Sequence, residues 1–228
     1  MESQRVLVLP GSSNPRGSEK YKKVIELIED LAVQKGYECK LLNYPGQCGD
    51  SVNALSYASA LEAALAKCAE YRPRWIISRS FGCWIAVGVL SCVHQWVDAC
   101  EGAILWGPGL ASTTARVWPD RATRAREVEG HRQYGTYLAE DFFETLPPIE
   151  DLVGTCRCNL RIARGTCDDL NTRKDLDYLA SLHSKLQHRF IYEVREITGL
   201  GHSVVADDLG PELLGRYSAC LFDPMKAT

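Results

Sequence analysis

The chain has 228 residues, 46% of them hydrophobic and 24% charged, with a formal net charge of -3. That length buries a sizeable core in one domain, and the charge gives no general attraction for nucleic acid or an anionic membrane. No apolar stretch approaches transmembrane length and no basic-then-apolar leader opens the chain, so a cytoplasmic protein is expected.

Residues 6–9 read as a buried strand that breaks at Pro10-Gly11-Ser12-Ser13. Residues 19–35 carry Val24, Leu27, Ile28, Leu31 and Ala32 at helical spacing, and Gly36 stops them. A second strand is expected over 38–44, an alanine- and leucine-rich helix over 53–70, and a third strand over 74–79. The helix expected over 83–96 is apolar on nearly every side, which places it centrally. A fourth strand follows over 102–106. Residues 111–150 are long for a connection and read as a small helical cap, with helices over 120–129 and 134–144. Strand, helix, strand and helix are then expected over 158–164, 173–187, 190–196 and 209–219.

Strands and helices alternate throughout, which predicts one α/β domain: a mostly parallel sheet of about six strands covered on both faces, a three-layer αβα sandwich. The ten cysteines are not a disulfide framework, since Cys83, Cys92, Cys100 and Cys220 fall in apolar runs. Cys156 and Cys158 should face opposite sides of an extended segment, which suits neither a disulfide nor zinc. The histidines form no ligand pair, so no metal is expected.

Ligands of such a sheet gather at the carboxyl ends of its strands. After the third strand comes Ser78-Arg79-Ser80-Phe81-Gly82. A serine on a sharp strand-to-helix turn needs small residues two before and two after it, and Ser78 and Gly82 satisfy this. The plainer reading of Ser80 is a helix N-cap. Gly165-Thr166-Cys167-Asp168-Asp169 follows the next-to-last strand, and Gly199-Leu200-Gly201-His202-Ser203 follows the last. Either aspartate could instead cap the following helix, and His202 could be an ordinary loop residue. Together, however, a serine, an acid and a histidine follow three strands in an order that supplies nucleophile, orienting acid and base.

In these segments the chain resembles the α/β-hydrolase family, over almost its whole length. The resemblance implies that Ser80 is the nucleophile, Asp168 rather than Asp169 the acid, and His202 the base. It implies an oxyanion hole from the backbone N–H groups of Ser12 and Phe81, and a sheet lacking the two leading strands of larger members. Ser78 replaces the usual elbow glycine, and Pro10 stands where histidine is commoner. Gly11 should turn a donor inward; Gly11 and Ser13, with Arg79, Trp106 and Trp118, are expected to border the substrate. The implied activity is hydrolysis of a small ester, thioester or amide with no cofactor, and a homo-oligomer is compatible with it. Arg79 or an arginine of the cap (Arg116, Arg121, Arg124, Arg126, Arg132) is a candidate partner for an acidic substrate group.

Two other readings compete. Gly11 to Ser18 also resembles the phosphate loop of small flavodoxin-like flavin reductases, which implies FMN. The second is a non-catalytic binding protein on the same hydrolase-like scaffold.

Overall fold

The computed structural model describes residues 4–13, 19–92, 100–186, 190–202, 204, 207 and 209–225. Among these, strands and helices alternate as β1 (Gln4–Leu9), α1 (Glu19–Gln34), β2 (Tyr37–Leu41), α2 (Tyr57–Tyr71), β3 (Trp75–Arg79), α3 (Phe81–Ser91) and β4 (Gly102–Trp106). They continue as α4 (Ala111–Val117), α5 (Arg121–Gln133), α6 (Ile149–Thr155), β5 (Asn159–Gly165), α7 (Arg173–Leu186), β6 (Tyr192–Ile197) and α8 (Pro211–Phe222). The strands form one sheet in the order β2-β1-β3-β4-β5-β6, every neighbouring pair parallel.

The two-residue alternation of strand side chains divides the core into two layers. Leu7, Leu9, Ile76, Ala103, Leu105, Leu160 and Ile162 join one cluster with residues of α2, α3, α6 and α7. Val6, Val8, Ile77, Ile104, Trp106 and Ala163 join the other, beneath α1 and α8. Helix α3 is buried at every position from Phe81 to Leu90, because it crosses the middle of the sheet with a second helical layer over it. Helix α2 starts on a capping box between Ser56 and Ser59 and ends at Arg72, whose φ of 50° takes the chain out of the helix.

The chain winds outward from β1 to β2, then back across β1 to β3 and on to β6. The direction of winding therefore reverses between β1 and β3, which opens a crevice at the carboxyl ends of those two strands.

The segment between β4 and β5 departs from expectation. The helix expected over 134–144 is a series of turns: Gly135 has φ 75°, and Leu138 makes an isolated bridge to Leu55. Helices α4 and α6 were not expected; α6 packs on α3 and α7, in the body of the fold. The expected helix over 83–96 begins at Phe81 and ends at Ser91, and residues 93–99 lie outside the described residues. Cys156 and Cys158 also differ. Cys156 closes α6 and both precede β5, so their sulfurs are not splayed by strand geometry but lie 3.5 Å apart, as buried thiols not joined in a disulfide.

Candidate active site

Ser80 leaves β3 at φ 47° and ψ -122°, a backbone conformation that costs a non-glycine residue about 1–3 kcal/mol. Its side chain does not cap α3, so the N-cap reading fails although the residue occupies that position. The turn is held at both sides. Ser80 N donates to Trp106 O at 3.0 Å, and a Cβ on Gly82 would lie 2.3 Å from Leu9 O. Glycine is therefore required two residues after the serine, where the elbow presses on the end of β1. Two residues before it, Ser78 is accommodated because its hydroxyl is buried and donates to Ile104 O at 2.9 Å. Burial pushes the nearby Cys83 thiol up to about 12, so it is no rival nucleophile.

Asp168 and His202 meet where the loops after β5 and β6 converge. His202 Nδ1 lies 3.2 Å from Asp168 Oδ2. The carboxylate also accepts from Leu170 N (2.9 Å), Asn171 N (3.2 Å) and Asn171 Nδ2 (3.0 Å). Burial alone would raise the Asp168 pKa, but the hydrogen bond and charge of His202, with the Asn171 and Leu170 donors, hold it below the usual value. An ionised Asp168 requires Nδ1 to carry the proton, which leaves Nε2 free to act as a base. Asp169 is exposed and takes no part in this pair. Gly107, with φ 61°, passes so close that a Cβ there would lie 2.8 Å from His202 Nδ1. Among the described residues Ser80 and His202 are not hydrogen-bonded, although both line the same cavity; such contacts commonly tighten only with substrate present.

The loop after β1 is fixed by a residue that sequence reasoning missed. Gln47 is buried, accepts from Tyr44 N, and donates Nε2 to the carbonyls of Gly11 (3.0 Å), Ser12 (3.2 Å) and Ser13 (3.2 Å). In a trans peptide the N–H points opposite to the carbonyl, so the Gly11–Ser12 peptide aims the Ser12 N–H away from Gln47. Gly11 is not among the positive-φ residues, so the loop aims this donor without a left-handed turn at the glycine. The loop runs beside the elbow: a Cβ at Gly11 would meet Ser80 Cβ at 3.4 Å, an ordinary van der Waals contact. Phe81 opens α3, where the first amides have no intrahelical acceptor. The Ser12 hydroxyl lies 2.9 Å from His131 Nε2 of α5, and Glu127 O lies 2.9 Å from His131 Nδ1.

Two chambers meet at Ser80 and His202. One is apolar, walled by Phe81, Trp84, Val117, Trp118, Phe142, Phe143 and Leu146. The other is more polar and runs past Pro10, Gly11, Ser12 and Ser13 to Tyr21, Ile25 and Arg79. Trp118 borders both. Trp106 borders neither, contrary to expectation. It shares strand parity with Ile104, so its ring turns under the sheet, packs edge-on against Tyr217 at 5.2 Å, and donates Nε1 to His202 O at 3.2 Å. It supports the histidine loop rather than walling the cavity. Arg124 and Arg132 of the insertion pair with Glu144 and Glu129, and Arg116, Arg121 and Arg126 are exposed.

Among the described residues no group of His, Cys, Asp or Glu side chains is arranged to hold a metal, and no helix is long and apolar enough to cross a membrane. Residues 14–18, which carry much of the resemblance to a flavin phosphate loop, lie outside the described residues.

No family model matches the chain, and no curated protein matches it in sequence. Solved structures do. An esterase of Pyrococcus furiosus aligns over 96% of this chain and 80% of its own, at TM-score 0.64 and 16% identity. MenH of S. aureus aligns over 96% and 94%, at TM-score 0.63 and 13% identity. The N-formylmaleamic acid deformylase of Pseudomonas putida aligns over 90% and 88%, at TM-score 0.62 and 16% identity. The chain has the α/β-hydrolase fold.

Proposed function

We propose that the chain is a serine hydrolase that cleaves a small ester, or a related thioester or amide, through an acyl-enzyme. The observation that carries this reading is the joint placement of Ser80, at φ 47°, and the Asp168–His202 pair on one cavity. The likeness in fold to proteins described as esterases supports it. In the first step His202 Nε2 takes the Ser80 proton as Oγ bonds to the substrate carbonyl carbon. The N–H groups of Ser12 and Phe81 then stabilise the resulting oxyanion, and Gln47 and the elbow preset their directions. Collapse breaks the bond to the leaving group, which receives the proton from His202. Water, deprotonated by the same histidine, attacks the acyl carbon; the bond from that carbon to Ser80 Oγ then breaks, and Oγ takes the proton back from His202 as the acid product leaves. The insertion segment that carries Trp118, Phe142 and Phe143 acts as a cap and gives the apolar chamber its roof.

The test is covalent labelling by a fluorophosphonate. One equivalent should attach at Ser80, and S80A and H202A should abolish labelling. A folded wild-type protein that takes up no probe would instead favour a non-catalytic binding protein on this fold.

A further inference from the structure

Among the described residues three arginines are buried, and two of them have carboxylate partners. Arg161 pairs with Glu193 at 2.7 Å and donates to the carbonyls of Cys220 and Pro224. Arg164 pairs with Glu196 at 3.1 Å and donates to the carbonyls of Asn171 and Thr166. Among the described residues Arg79 has neither kind of partner. It is 7% exposed, its Nε, like that of Arg164, is sealed from solvent without a hydrogen bond, and, unlike for Arg164, among the described residues no carboxylate is paired with it. The Tyr21 ring lies 6.0 Å from its Cζ, and a ring face replaces only part of the hydration that a guanidinium loses on burial.

Strand parity explains where this side chain goes. Arg79 follows Ile77 by two residues, so it leaves β3 on the α1 and α8 side and lines the polar chamber with Tyr21 and Ile25. Among the described residues it is the only lysine or arginine that lines either chamber at Ser80. Glu127 borders the same space, but its carboxylate lies 3.4 Å from His131 Nδ1.

We propose that Arg79 binds a substrate carboxylate, so that the preferred substrate is a half-ester-like molecule with an acidic arm in the polar chamber and an apolar arm in the other. A guanidinium presents parallel N–H donors that match a carboxylate, and one arginine balances one negative charge. An uncompensated buried cation weakens folding, and a ligand that restores the missing partner gives it a reason to persist. This inference rests on the serine-hydrolase reading for the position of the scissile bond, but not for the binding of the anion.

The test compares 4-nitrophenyl half-esters of succinate, glutarate and adipate with the neutral butanoate, pentanoate and hexanoate esters. In the wild type, kcat/KM for the best acid should exceed that of its neutral match at least tenfold. That ratio should fall at least tenfold in R79M and less in R79K. Equal ratios in wild type and R79M would overturn the proposal. A binding arm needs no catalysis: monomethyl glutarate should quench tryptophan fluorescence in S80A, through Trp118, and should fail to do so in S80A/R79M. No saturable binding to S80A would also overturn it. Stability separates a binding role from a structural one. R79M should melt at or above the wild-type temperature, and a fall of several degrees in both R79M and R79K would assign Arg79 to the core and sink the idea. Fluorophosphonate labelling that survives while the acid preference is absent would remove this inference and leave the hydrolase reading standing.

Discussion

Asp168 accepts four hydrogen bonds, three from its own turn and one from His202, and that division of labour separates its two roles. The local donors shape the loop, and the bond to His202 fixes the imidazole tautomer. An amide oxygen in the Oδ1 position keeps the bonds from Leu170 N and Asn171 N, while an amide nitrogen in the Oδ2 position cannot accept from Asn171 Nδ2 or His202, so most of the turn is kept and the tautomer control is lost. D168N should therefore remain folded while kcat on a short 4-nitrophenyl ester falls about 10⁴-fold. D169N, altered on an exposed side chain, should stay within about threefold of wild type by the same assay. The pH dependence of stability follows from the lowered Asp168 pKa. A depressed acid stabilises the fold above its unfolded value of about 3.9, and the stabilisation disappears as pH falls through the folded value. The difference in Tm between wild type and D168N should accordingly be largest near neutral pH and shrink below about pH 4.

Among the elements, the edge of the sheet depends on a buried ion pair. Arg161 and Glu193 are register partners on β5 and β6, and Arg161 reaches on to the carbonyls of Cys220 and Pro224 at the end of α8. One guanidinium thus joins two strands and the last helix on the face opposite α3. E193A leaves that charge buried and unpaired, so unfolding in urea should show a loss of about 3–5 kcal/mol. R161M/E193L, which removes both charges and fills the space with apolar atoms, should recover most of it. A double variant no more stable than E193A would show that the carbonyl contacts, rather than the ion pair, hold α8. Such pairing was not legible in the sequence, where Arg161 and Glu193 look like ordinary strand charges. Strands β1, β3 and β4 were legible as short apolar runs bounded by glycine or proline, whereas β2, β5 and β6 mix apolar with charged residues and were legible from their place in the alternation of strands and helices. The turns at 134–144 were misread for the opposite reason. Tyr134, Tyr137, Leu138, Phe142 and Phe143 recur at helical spacing, yet Gly135 turns the chain left-handed and the two phenylalanines face the apolar chamber.

Across the whole molecule, what the sequence revealed and what it concealed divide by range of contact. The serine, acid and histidine were legible because each follows a strand and carries its own turn signal. Gln47 and Gly107 were not, because they act only through segments distant in the chain: Gln47 through the carbonyls after β1, Gly107 through the ring of His202. Trp106 lies between these cases, since strand parity assigns it to the α1 and α8 face while its aromatic character pointed to the cavity; Arg79 shares that face and does line the polar chamber. Burial is distributed as unevenly as legibility. Helix α3 is buried from Phe81 to Leu90, whereas α5 has no buried residue: Val128 alone packs partly buried on the core, beside the polar contacts of Ser12 to His131 and of Arg124 to Glu144 at 2.7 Å. Local opening costs little where few apolar contacts are broken. Hydrogen exchange should therefore find α5 the fastest-exchanging of the helices of ten or more residues, and α3 among the slowest. H131A should speed exchange in α5 while leaving α3 unchanged, since the histidine is the tie between this helix and the loop after β1. Covalent labelling of Ser80 that slowed exchange in α5 would mean that the helix closes over an occupied site; exchange as slow in α5 as in α3 would show that contacts other than burial hold it.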